Sequence, residues 1–139
     1  MSAVLPNASC VAVGGRGVLI EGAPGSGKSS LALALIDRGA LLVGDDGVTL
    51  ARHDETLWAS PPPNTAGMLE IRNLGLVELP ATEAPLALVL RLDETAPRYI
   101  DRPEEAVLEG LALPLVRLWP ESPVLALRAE WALKRYGLG

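Results

Sequence analysis

The chain has 139 residues, 49% of them hydrophobic, with a net charge of −5 and a single cysteine. That length makes one domain with a sizeable core, and the apolar fraction excludes a disordered chain. The acidic balance lacks the basic stripe of a nucleic-acid binder, and one cysteine excludes an internal disulfide.

In chain order, residues 9–13 (Ser-Cys-Val-Ala-Val) predict a strand that buries Cys10, with a turn at Gly14-Gly15. Residues 17–21 predict a second strand, which runs straight into Gly22-Ala23-Pro24-Gly25-Ser26-Gly27-Lys28-Ser29. This is the pattern G-x-x-x-x-G-K-S, placed between a strand and a helix, the context that makes it a phosphate site. The glycines let backbone N–H groups converge on one point, and the helix that follows adds its N-terminal dipole. Lys28 is positioned to reach β/γ-phosphates of ATP, and the Ser29 hydroxyl to ligate Mg²⁺, with Ser30 opening the helix. The alternative is a glycine-rich turn that only caps a helix. That helix is expected from about 27 to 38, stopped by Gly39.

Leu41-Leu42-Val43 predicts a short buried strand that ends on Gly44-Asp45-Asp46-Gly47. Asp45 and Asp46 follow Lys28 by only 17 and 18 residues. Carboxylates there can hold a metal, order its waters, or take the proton of an attacking hydroxyl. On an extended chain the two would point to opposite faces and take different roles. Asp-Asp-Gly is also an ordinary turn between strands. Residues 48–51 and 56–59 predict a hairpin turning at Asp54-Glu55, which leaves His53 in a solvent-facing turn. Pro61-Pro62-Pro63 ends it.

Residues 68–72 alternate apolar and charged, so Glu70 and Arg72 are expected on one strand face. They read either as a surface ion pair or as a metal-binding carboxylate beside a phosphate-stabilising guanidinium. Further strands are expected over 74–79 and 86–92, and over 111–118 with a break at Pro114. A helix is expected over 123–136, with basic residues in its last turn. Trp58, Trp119 and Trp131 are expected to pack in the core or at sheet edges. Two helices against about seven strands point to a strand-rich α/β domain with mixed sheets around one phosphate-loop helix, spanning 1–139. Residues 1–20 have neither a basic n-region nor a continuous apolar h-region, so no signal peptide is expected, nor any membrane span.

Residues 17–29, the continuation Leu33-Ala-Leu-Ile-Asp-Arg-Gly39 and the strand end Leu42-Val-Gly-Asp-Asp46 resemble the HPr kinase/phosphorylase family. Leu69-Glu-Ile-Arg-Asn-Leu-Gly-Leu-Val77 is similar to that family's signature L-E-[IV]-R-G-L-G. The resemblance covers about residues 7–79. It implies a P-loop kinase domain of carboxykinase-like architecture, in a short form without the separate N-terminal domain of longer members. It implies an ATP- and Mg²⁺-dependent enzyme that phosphorylates a serine of HPr, the small phosphocarrier of the bacterial phosphotransferase system, and can run in reverse by phosphorolysis. By this resemblance Lys28 binds the transferred phosphate, and Ser29 and Glu70 hold Mg²⁺. The Asp45-Asp46 pair contains the base, assigned to Asp46, with Asp45 supporting the metal and its waters. Arg72 and Gly75 belong to the signature, and the protein is expected to be cytoplasmic and hexameric.

The chain departs from the family at four places. Asn7 stands where the family has a histidine, and Asn73 replaces the signature glycine. Pro80–Pro85 replaces the segment that usually follows the signature. A late arginine has only Arg117 and Arg128 as candidates. Two other functions remain open from these departures: a nucleotide-binding regulatory module without catalysis, and a kinase for a small hydroxyl compound.

Overall fold

A computed structural model describes residues 2–139. The strands in chain order are β1 (Ser2–Pro6), β2 (Ser9–Val13), β3 (Arg16–Gly22), then helix α1 (Lys28–Asp37). They continue as β4 (Leu41–Gly44), β5 (Gly47–His53), β6 (Thr56–Ser60), β7 (Met68–Ile71) and β8 (Gly75–Glu78). The chain closes with β9 (Ala84–Leu92), β10 (Glu104–Leu108), β11 (Leu111–Leu118) and helix α2 (Leu125–Tyr136).

One mixed sheet has the order β1-β5-β6-β9-β3-β2-β4, with β11 also on β9 and β10 on β11. Only β3–β9 and β9–β11 are parallel among the paired strands. β7 and β8 form a separate two-stranded hairpin. The middles of the central strands, residues 18–20 and 86–90, are apolar without alternation because both faces are covered. Val18, Ile20, Leu88 and Leu90 face α1 and α2, where they meet Leu31, Leu35 and Leu133. Leu19 and Val89 face the other way, onto Cys10, Val48, Leu57, Leu86 and Leu113. Alternate residues of one strand thus feed two cores, as strand periodicity requires. Cys10 is fully buried, and burial pushes its thiol pKa far up, so it is an inert core residue.

The strand-rich reading is correct, with several corrections. β1 and β10 are additional strands. Pro114 does not break β11: it pairs only with Glu105 of β10, and the ladder to β9 begins at Leu115. Leu41 is half exposed, at the edge of the sheet. Trp119 and Trp131 are not core residues. α2 buries Ala129, Ala132 and Leu133, which turns Trp131 outward with Lys134 over its ring.

At the carboxyl ends of the parallel strands, Arg91 and Arg117 stand side by side in register. Like charges so placed repel, and acids offset both. Glu21 holds Arg91 at 2.6 Å, while Asp93 and Glu104 each hold Arg117 at 2.7 Å. Asp93 also accepts the hydroxyl and the backbone N–H of Thr95. These Thr95 bonds first, and Arg117 second, lower the Asp93 pKa from 3.8 to about 2. A lowered carboxylate stabilises the fold above its unfolded value and loses that contribution as pH falls through about 2. In an NMR titration, Thr95→Ala and Arg117→Ala are each expected to raise the Asp93 pKa, the first by loss of the hydroxyl bond alone, since that substitution keeps the backbone N–H.

Candidate functional site

The site is built where β3 ends. Its strand delivers Gly22 to the loop, and the loop delivers Lys28 as the first residue of α1. Gly27 caps the helix at φ 103°, a left-handed conformation that side chains resist, and its carbonyl takes the N–H of Leu31 at 2.9 Å. At Gly22 a Cβ would fall 2.6 Å from the Ser26 hydroxyl and 3.2 Å from Leu92, so only glycine lets the loop fold back on β9. Ser26 Oγ is buried there without a hydrogen-bond partner. Lys28 Nζ donates to the carbonyls of Gly22 at 2.9 Å and Ala23 at 3.1 Å, which puts a cation against the loop.

Asp45 and Asp46 stand opposite, between β4 and β5. They are not on extended chain: Asp46 has φ 57°, a left-handed bend that aspartate tolerates better than most residues. The two carboxylates still have different surroundings. Asp45 is buried, and its Oδ1 accepts both Ser9 Oγ at 2.8 Å and Ser29 Oγ at 2.7 Å. Its Oδ2 accepts the backbone N–H of Glu70 at 3.3 Å. Asp46 is exposed, and its carbonyl takes the N–H of Asn7, also left-handed at φ 62°. β1 ends against the turn, with Pro6 in register with Gly47.

One cavity of about 290 Å³ gathers these groups. Pro24, Gly25, Gly27, Lys28, Ser29 and Ser30 line one wall, and Asn7, Asp45, Asp46, Glu70 and Arg72 the other. Of the predicted site residues, Gly22, Ala23 and Ser26 do not line it; they shape the loop behind it. Arg72 lies in the β7–β8 turn, beyond the last residue of β7, so it reaches the cavity from a turn and not from the strand face of Glu70. Arg117 is committed to Asp93 and Glu104, Arg128 is exposed on α2, and neither lines the cavity. His53 ends β5, exposed and away from the site. In sequence, Ser9 is only the first residue of a strand. Its contact with Asp45 joins residues 36 apart, and no local pattern announces it.

The donor set is oxygen throughout: the Ser29 hydroxyl and the carboxylates of Asp45, Asp46 and Glu70. No group of three or more His, Cys, Asp or Glu converges to cage a metal among the described residues. The oxygen donors fit Mg²⁺, which uses one or two carboxylates, keeps waters and shares phosphate oxygens.

A glycine-rich loop and helix N-terminus facing paired carboxylates across a polar cavity define an α/β domain suited to binding anions. Comparison with known proteins gives the family. Residues 3–82 match the HPr Serine kinase C-terminal domain. The chain is 38% identical over 144 aligned residues to the HPr kinase/phosphorylase of Clostridium novyi, covering 92% of this chain and 47% of that protein. It is 36% identical over 119 residues to the protein of the same name from Streptococcus agalactiae serotype Ia, covering 75% and 38%. The solved structure of the Hpr(Ser) kinase/phosphatase from Coxiella burnetii superposes with a TM-score of 0.82 at 26% identity, covering 95% of this chain and 89% of that one. The chain belongs to the HPr serine kinase C-terminal domain family. It spans about half or less of the length of these curated relatives.

Proposed function

We propose that this domain is an ATP- and Mg²⁺-dependent serine kinase acting on HPr or an HPr-like phosphocarrier, with phosphorolysis as the reverse reaction. The observation that carries the reading is the single cavity that joins Lys28, Ser29, Asp45, Asp46, Glu70 and Arg72. The loop N–H groups and the head of α1 would bind the β- and γ-phosphates, and Lys28 would neutralise charge on the transferred group. Ser29 and Glu70 would hold Mg²⁺, with Asp45 behind Ser29. When bound, Mg²⁺ would supply positive charge that offsets the charge of the phosphates. Asp46 would take the proton of the attacking serine hydroxyl, and Arg72 would steady the phosphoryl oxygens. In phosphorolysis, protonated Asp46 would return that proton to the serine oxygen as phosphate takes the phosphoryl group. Asn7 would stand beside Asp46 as an amide, which does not titrate.

A cytoplasmic, oligomeric protein agrees with this role, with a hexamer as the family precedent. No helix among the described residues is long and apolar enough to cross a membrane. The test is ATP consumption with and without purified HPr. Consumption that rises on HPr addition supports the kinase. ATP binding with no HPr-dependent consumption supports the regulatory module.

A further inference from the structure

Ser9, Asp45 and Ser122 are the buried polar or charged residues among those described, and two of the three touch each other. Ser9 opens β2, which is paired on both sides, by β3 and β4. Its Oγ is held in the sheet and donates to Asp45 Oδ1. Ser29, at the mouth of the loop, donates to the same oxygen. A serine hydroxyl has one proton and two lone pairs. With its proton on Asp45, Ser29 keeps its lone pairs for the cavity. This holds only while the Asp45 carboxylate keeps its orientation. The Glu70 N–H pins Oδ2, and Ser9 pins Oδ1 from a strand paired on both sides. Bonds to an ionised acceptor are the strong ones.

We propose that Ser9 is a positioning residue, whose hydroxyl orients Asp45 to take the proton of Ser29 and so aims the Ser29 lone pairs at Mg²⁺. Ser9 does not line the cavity and acts only through Asp45. The proposal rests on the reading of this cavity as a Mg²⁺–nucleotide site. Partners behind metal ligands typically shift metal affinity about 10–100-fold when removed.

The test is calorimetric binding of ADP, with and without Mg²⁺, to the wild type, Ser9→Ala, Asp45→Asn and the double variant. Ser9→Ala removes one oxygen and leaves the strand backbone intact. The expected result is unchanged affinity for metal-free ADP, with the gain from Mg²⁺ reduced about tenfold or more. In the Asp45→Asn background, Ser9→Ala is expected to change nothing further, as required of a residue that acts through Asp45. A full Mg²⁺ gain in Ser9→Ala overturns the role of Ser9 and leaves the site reading intact. Equal weakening of ADP binding with and without metal assigns Ser9 a merely structural role and also overturns it. A wild type with no Mg²⁺ gain overturns the metal-site reading and this proposal together.

Discussion

Lys28→Ala is expected to lower the rate of phosphate transfer about 10²–10³-fold at saturating Mg²⁺–ATP, with the fold intact. The reason is where the charge sits. Lys28 Nζ lies at the loop on the carbonyls of Gly22 and Ala23, bonds that it would exchange for phosphate oxygens when a nucleotide binds. In phosphoryl transfer, charge spreads over the equatorial oxygens of the moving group, and catalysis is mostly positioning and electrostatics. The helix does not depend on this side chain, because its cap is the backbone of Gly27. Thermal melting by circular dichroism should therefore overlay the wild type. Lys28→Arg is expected to fail nearly as badly, since a planar fork does not fill the place of a compact ammonium. A rate within about threefold of wild type for Lys28→Ala would remove the loop from the chemistry.

The second large effect is at Asp46. Asp46→Asn is expected to cost about 10²–10⁴-fold in transfer, the usual range for a lost general base, while Mg²⁺–ADP affinity is kept. Asp45→Asn is expected to weaken Mg²⁺–ADP binding itself. The two aspartates are adjacent in sequence and unlike in surroundings. Asp45 accepts three hydrogen bonds and is buried. Asp46 is exposed at the cavity wall, on a left-handed bend held by the N–H of Asn7. Binding and transfer measured on both variants separate the roles. If Asp45→Asn keeps Mg²⁺–ADP affinity and loses more transfer than Asp46→Asn, the base is Asp45.

Much of this site can be read along the chain because it is built from local signals. The loop, its glycines and the helix after it are contiguous. The strand that carries the aspartates follows at once, and Glu70 lies in a short alternating run. What escaped the sequence is what depends on distant partners. β1 is an exposed five-residue strand ending in proline, without alternation; it exists because β5 is there to pair with it. β10 begins with two glutamates and forms an edge against β11. Pro114 reads as a breaker until it is known that only one of its sides is laddered there. Asp-Asp-Gly reads as a turn along the chain, but the left-handed φ falls on Asp46, and aspartate, unlike glycine, does not advertise it. Trp131 resembles a core residue in composition alone, but the alanines and leucine of α2 take the buried face. Ser9 became a site residue only when the sheet brought it to Asp45.

The measurement that bears most directly on the account is serine phosphorylation of purified HPr from the same cell, detected by mass spectrometry after incubation with Mg²⁺–ATP. The wild type is predicted to place one phosphoserine on HPr. That product is predicted to be strongly reduced with Lys28→Ala and with Asp46→Asn, and absent when Mg²⁺ is chelated. An HPr that stays unmodified while the chain binds Mg²⁺–ATP tightly would contradict the account, and would make the domain a nucleotide-binding regulator or a kinase for another hydroxyl.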